Sequence, residues 1–184
     1  MDDQTILGLF FARNEEAIAA LGQKYGGACR RLAANLLGNS RDAEECVNDT
    51  YLACWNRIPP HRPDPLRSYV LRVTRNLAIA RYHKNAARKR NSHYDAALEE
   101  LSEVLPAADT AETALEAAEL TAALNRFLDG LDKGERALFL RRYWYGESIS
   151  AIAVYFDLRA NTVSQRLGRT RKKLAKFLEK EGWL

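Results

Sequence analysis

Apolar side chains at Ile18, Leu21, Tyr25, Cys29, Leu32 and Leu36 recur at steps of three and four residues, the spacing that lines one face of an α-helix, and Gly38-Asn39 ends the run. Ser40 then reads as an N-cap followed by acids, and the stripe Ala43, Cys46, Val47, Thr50, Tyr51 and Cys54 predicts a second helix. That helix stops before IPPHRPDP, where prolines at positions 59, 60, 63 and 65 forbid regular structure. A third long helix is predicted from about Leu66. At about 100° per residue, Leu66, Tyr69, Val70, Val73, Leu77 and Ala80 share one face, while Ser68, Arg72, Arg75, Asn76 and His83 lie opposite. The core is therefore expected to hold this helix by its apolar side and leave a cationic, amide-bearing side outward. Ile79 falls on the outward side and is the one apolar residue there that packing does not explain.

The second half of the chain carries a similar punctuation. Asp109 with Glu112 can cap a helix reaching about Leu128, and Asp132 with Glu135 form a capping-box-like start for KGERALFLRRYWYG, closed by Gly146. Ser148 caps a short helix, ISAIAVYF, and Asp157-Leu158 turn into a last helix through ANTVSQRLGRTRKK. No alternation of strand type and no repeat of solenoid period appears, so the expected fold class is all-α.

Charge sharpens this outline because it is sorted along the chain. The 184 residues carry a mild formal net charge of +4. Yet from Leu66 to Asn91 there are only bases (Arg67, Arg72, Arg75, Arg81, Lys84, Arg88, Lys89, Arg90), and from Ser92 to Asn125 only acids, from Asp95 to Glu119. From Arg159 onward the bases return. This order suggests two anion-binding modules joined by a segment that nucleic acid does not attract. Between the modules, a stretch rich in Ala, Glu and Asp and broken by Pro106 reads as a tether with weak helical segments. Cys29, Cys46 and Cys54 show neither a CxxC spacing nor a paired histidine, so they read as buried small hydrophobes in a reducing compartment, with no metal site and no cofactor implied. The N-terminal MDDQTILGLFFARNEE has an apolar run too short for a signal peptide or a membrane span, and a cytoplasmic protein without membrane insertion is expected.

The charge at the C-terminal end meets a recognisable pattern. A short helix, a tight turn and a second helix bearing bases form a helix-turn-helix, whose second helix enters the major groove. Val163, Leu167, Thr170, Leu174 and Leu178 make its inward stripe, leaving Asn161, Ser164, Gln165, Gly168, Arg169 and Lys172 outward. The amides and the hydroxyl can pair with base edges, and the later bases lie where a helix leaving the groove passes phosphates. Catalysis is not expected: His61, His83 and His93 are scattered, and there is no Gly-rich phosphate loop, HExxH or nucleophile elbow.

Taken together, three stretches resemble the sigma-70 family of RNA polymerase sigma factors, in its compact extracytoplasmic-function group. KYGGACRRLAANLLGNSRDAEECVNDTYLACWNRI is similar to the family's first conserved region and polymerase-binding helix, SYVLRVTRNLAIARYHKNAARKR to its minus-10 helix, and LDKGERALFLRRYWYGESISAIAVYFDLRANTVSQRLGRTRKKL to its minus-35 domain. The resemblance implies two small helical domains, residues 1–92 (sigma region 2) and 111–184 (sigma region 4), joined by an acidic linker at 93–110. It implies that Asp42, Glu45, Asn48 and Asp49 dock on the largest polymerase subunit, although Asp42 equally completes an acidic first turn that complements the helix dipole. Arg72, Arg75 and Asn76 match minus-10 contacts. The proline-rich loop matches one that captures a flipped base, with His61, Arg62 and Asp64 as contact groups, and a stiff connector is an equal reading of it. Arg159, Asn161, Ser164, Gln165, Arg169 and Lys172 match the minus-35 reader. The acidic tether matches the linker that crosses the polymerase toward its RNA channel; a solvated spacer kept off DNA by its charge serves nearly as well.

Ala80 departs from the family's usual Asp, Asn48-Asp49 from its Gln-Glu pair, and Asp157 from a common turn glycine; Asp tolerates the left-handed conformation such a turn requires. The implied function is a promoter-specificity subunit that binds core RNA polymerase and reads minus-10 and minus-35 elements, acting as a monomer when free. Core polymerase and promoter DNA are its expected partners, and an anti-sigma factor, which often holds family members, is a further one. The competing reading is a stand-alone helix-turn-helix regulator with a helical N-terminal sensing domain, which would dimerise on palindromes.

Overall fold

The computed structural model describes residues 1–85, 92–106 and 114–184, and among these every regular element is helical. The chain divides into two compact units, Met1–Asn91 and Ser92–Leu184.

The first unit holds α1 (Asp3–Phe11), α2 (Glu16–Leu37), α3 (Ser40–Arg57) and α4 (Leu66–Asn85). Its centre is α2, α3 and α4 packed on one another, with Leu21, Cys29, Leu36, Cys54, Ile58 and Val70 fully buried. Helix α1 lies beyond the expected elements. Asp2 caps it by accepting the Thr5 backbone N–H at 2.8 Å, and Ile6, Leu7 and Phe10 bury one face against the rest of the unit. Asp3 then ties it to α2, accepting Lys24 Nζ and the Tyr25 hydroxyl at 2.6 Å each. Helix α2 ends where expected, on Gly38 at φ 65°, whereas α3 is capped one residue earlier than predicted, by Asn39, whose side chain accepts the Arg41 backbone N–H.

The inward face of α4 is rotated from the expected one. Leu66, Val70 and Val73 are buried, but they are joined by Leu71, Thr74 and Ala78; Tyr69 and Leu77 are half-buried and Ala80 is exposed. A polar seam accounts for the rotation. The Thr74 hydroxyl donates to the Val70 carbonyl at 2.9 Å and lies 3.3 Å from the Thr50 hydroxyl, which donates to the Cys46 carbonyl at 2.8 Å. Two threonines that bond within their own helices can be buried at the α3–α4 contact without an orphaned group, so hydropathy alone misplaces the face. Ile79, on the outward side, is half-buried. The three cysteines are free and buried; burial pushes the thiols of Cys46 and Cys54 up to about 11 and about 12, so they pack as hydrophobes and not as nucleophiles.

The second unit holds α5 (Ser92–Ser102), α6 (Ala114–Gly130), α7 (Lys133–Phe139), a π turn (Leu140–Trp144), α8 (Ile149–Phe156) and α9 (Ala160–Lys180). Residues 93–102, expected as the start of a tether, lie in α5, which contributes Ala97 to the core of the unit. The caps expected at Asp109 and Glu112 lie outside the described residues. Helix α7 starts as predicted, with Asp132 accepting the Glu135 backbone N–H at 2.8 Å, but the expected single helix to Gly146 widens into a π turn that buries Arg142 and Tyr143. Ser148 caps α8, and Asp157 closes it in the left-handed conformation at φ 52°, the geometry its side chain tolerates in place of glycine. Val163, Leu167, Thr170, Leu174 and Leu178 are all buried as the α9 stripe, and each of the aliphatic four contributes about 1.5–3 kcal/mol by leaving water.

One close approach fixes how α2 meets α3. A Cβ at Gly26 would lie 2.6 Å from the Tyr51 hydroxyl oxygen but 3.9 Å from its Cζ. Gly26→Ala is therefore expected to lower stability through overpacking, whereas in a Tyr51→Phe background it should raise stability by up to about 1 kcal/mol through helix propensity. Urea unfolding of the four chains checks this, and the same sign in both backgrounds would contradict the contact.

Candidate nucleic-acid interface

On α9 the side chains sort as their spacing requires. Arg159, Asn161, Gln165, Arg169 and Lys172 are exposed, and Ser164 is half-buried at the edge of the outward face. The turn at Asp157 and Leu158 sets α9 against α8, and with the apolar stripe inward the amides lie in the first turns and the bases follow. Arg159, Arg166, Arg169 and Lys172 have no ion-pair partner among the described residues, which leaves their charge available to an external anion.

Two other bases of the same helix are paired within the unit. Lys173 Nζ pairs with Glu135 Oε1 at 2.6 Å, and Arg171 Nη1 donates to Glu100 Oε2 at 3.0 Å and to the Tyr143 hydroxyl at 2.8 Å. Glu100, on α5, also accepts Arg142 Nη2 at 2.8 Å and the Tyr143 hydroxyl at 2.8 Å. Burial alone would raise the Glu100 carboxyl. Hydrogen bonds from Arg142 and Tyr143, with the charges of Arg142 and Arg171, outweigh that and hold it below the usual carboxylate range. Arg142 is 3% exposed and also donates to the Glu147 carbonyl at 3.1 Å, so this cation is an interior group. Nothing in the spacing of Glu100 distinguishes it from Glu99 or Glu103; the pairing is a tertiary fact.

In the first unit, Arg72 and Asn76 are exposed on α4 and Arg75 is half-buried beside them, which gathers the three expected minus-10 groups along one side of the helix. His61, Arg62 and Asp64 are exposed on the proline-rich loop. Arg62 is not free to swing: Nη2 donates to Gln4 Oε1 at 3.0 Å, and the guanidinium sits 5.7 Å from the Phe11 ring centre. Helix α1 thus contacts the loop, and Arg13, just beyond α1, donates to the Trp55 carbonyl on α3 at 2.6 Å and stacks on its ring. The apolar spacing Ile6, Leu7, Phe10 behind a capping Asp2 was a readable sign of this helix.

The four residues expected to dock on polymerase lie on α3. Asp42 is half-buried and accepts the Asn39 side-chain amide at 3.3 Å, while Glu45, Asn48 and Asp49 are exposed. Arg81, expected within a basic block, turns onto this acidic side instead, donating to Glu45 Oε2 at 2.6 Å and to Asp49 Oδ2 at 2.9 Å. The bond from Arg81 holds the Glu45 carboxyl below its ordinary range. Both carboxylates remain half exposed, at 51%. Leu52, one turn beyond Asn48 and Asp49, is 58% exposed, an apolar side chain that spacing had not singled out.

Among the described residues no cluster of His, Cys, Asp or Glu could hold a metal ion, and no helix is long and apolar enough to cross a membrane.

Comparison with known proteins matches one stretch within each unit. Residues 21–88 match the family model for sigma-70 region 2, and residues 121–174 the one for sigma-70 region 4. The ECF RNA polymerase sigma factor SigE of Mycolicibacterium smegmatis is 27% identical over 184 residues, covering 97% of this chain and 70% of that protein. The ECF RNA polymerase sigma factor SigL of Mycobacterium tuberculosis is 27% identical over 172 residues, covering 89% of each. The solved structure of CnrH in complex with the cytosolic domain of CnrY is 23% identical and covers 97% of both chains, with a TM-score of 0.45.

The Arg81 clamp is open to a direct check. Arg81→Gln should raise the titration of the Glu45 carboxyl toward its ordinary range, with Arg41 still beside it, as followed by carboxyl carbon chemical shifts against pH. A Glu45 titration identical in the two proteins would contradict the clamp.

Proposed function

Since this chain belongs to the sigma-70 family of RNA polymerase sigma factors, in its extracytoplasmic-function group, we infer that its two units carry the two halves of promoter reading on the faces described above. The chain is a promoter-specificity subunit that directs transcription initiation, and core RNA polymerase and promoter DNA are the partners that this membership implies. A stand-alone regulator is disfavoured, because residues 21–88 match sigma region 2 and so are accounted for without a sensing role.

The reading of individual residues rests above all on α9, whose outward face carries amides first and unpaired bases after. Asn161, Ser164 and Gln165 meet base edges of the minus-35 element, and Arg159, Arg169 and Lys172 meet its phosphates. On the first unit, Arg72, Arg75 and Asn76 contact the minus-10 element. The loop with His61, Arg62 and Asp64 receives an unstacked base, a role suited to a loop already in contact with α1 because little further entropy is lost on binding. The α3 face with Asp42, Glu45, Asn48 and Asp49 meets a basic surface of polymerase, and Leu52 adds apolar contact at its edge. The chain acts by recognition and not by catalysis, as one copy, in the compartment where polymerase works. Free in solution it binds DNA weakly and with steep salt dependence, because each unit makes few contacts.

Size-exclusion chromatography with sigma-free bacterial core polymerase tests the docking face. Co-elution should be lost in Glu45→Lys with Asp49→Lys, and should stay lost when Arg81→Glu is added, which restores the internal pairs with their signs exchanged. Co-elution recovered by the third substitution would show that the first two had acted through the fold, and would remove Glu45 and Asp49 from the interface.

A further inference from the structure

The acids between the two basic blocks read in sequence as charge kept away from DNA, yet Glu100 is drawn into the unit that carries α9. Its carboxylate is shared by two guanidiniums of different standing. Arg142 is buried at 3% exposure and bonds the Glu147 carbonyl as well, so it belongs to the interior whatever α9 does. Arg171 is 20% exposed and lies on α9 itself, about 20° of helical rotation from Ser164, at the edge of the outward face. Its Nη1 is taken by Glu100 Oε2 at 3.0 Å and by the Tyr143 hydroxyl at 2.8 Å. The same Tyr143 hydroxyl donates to Glu100 at 2.8 Å, which closes a triangle of acid, phenol and guanidinium.

A long arginine at that edge would otherwise find a phosphate. Phosphate contacts add affinity for every sequence alike and carry no information about the bases. An internal carboxylate, held in place by α5, Arg142 and Tyr143, competes with the DNA backbone for that guanidinium. We propose that Glu100 is a positioning residue for minus-35 reading: it withholds Arg171 from the DNA backbone, so that α9 meets phosphates through its unpaired bases, Arg169 and Lys172 foremost. The inference rests on α9 being the DNA-reading helix.

The test uses the full chain and a fluorescent duplex of about 20 base pairs of mixed sequence, with binding followed by anisotropy across a salt series. The slope of log affinity against log salt counts the phosphates neutralised, at about 0.9 per contact, and a purely structural role for Glu100 does not move it. Arg169→Gln should lower the slope by about one contact, and Arg171→Gln should leave it unchanged. Glu100→Gln should steepen it by about one contact, and Glu100→Gln with Arg171→Gln should return it to the starting value. Circular-dichroism melts show whether each chain is folded; if Glu100→Gln is not, Arg171→Gln alone decides. A slope lowered by Arg171→Gln as much as by Arg169→Gln would overturn the proposal, because Arg171 would then be an ordinary phosphate contact. A slope unmoved by both Arg169→Gln and Lys172→Gln would instead take α9 off the DNA and overturn the reading beneath it.

Discussion

A helix that reads something outside its domain must also hold that domain together, and it has only one circumference for both tasks. Helix α9 divides its own cleanly: Val163, Leu167, Thr170, Leu174 and Leu178 are buried, and Asn161, Gln165, Arg169 and Lys172 are exposed. The burial of one side fixes where the other side points, so the reading groups need no further device to face outward. Helix α4 meets the same constraint less cleanly, because Thr74 takes a buried position that an apolar stripe would assign to hydrocarbon. The outward position of Arg72 and Asn76 survives because the rotation, toward Leu71, Thr74 and Ala78, carries the buried side away from them.

Charge is the second quantity the fold has to divide. A run of bases on a helix suggests a surface for phosphates, but here several of those bases are already paired within their own unit. Arg81 neutralises Glu45 and Asp49, Lys173 meets Glu135, and Arg142 and Arg171 share Glu100. These pairs differ in weight. The half-exposed carboxylates on α3 give pairs of modest strength, open to a competing cation. Arg142 is buried, so removing its acid would leave an interior charge with only the Glu147 carbonyl to meet it. The acidic stretch therefore contributes an interior group to the C-terminal unit, besides whatever its exposed members do.

The all-α class, the helix-turn-helix and the outward set of α9 were legible in sequence because each follows from local periodicity and capping. Asp132, Ser148 and Asp157 act as their residue types predict. What escaped was tertiary. The π turn that buries Arg142 makes sense only beside Glu100, forty-two residues away in the chain. Helix α5 was hidden by a composition that suits a tether, and its buried Ala97 becomes meaningful only against the core it joins. Arg81 and Lys84 look alike in sequence, and only the packing of α4 on α3 brings Arg81 onto the acids. Within a sorted helix, the outward set can be read from spacing; which of its charges are already taken cannot.

The central claim, that this chain confers promoter specificity through two separate faces, is tested most directly by sequencing the 5′ ends of transcripts that core polymerase makes with it from fragmented bacterial genomic DNA. The account predicts initiation above the level of core polymerase alone, at sites sharing an upstream and a downstream motif, with Gln165→Ala relaxing a position of the upstream motif only. Initiation no greater than that of core polymerase alone, or start sites without a shared pair of motifs, would contradict it.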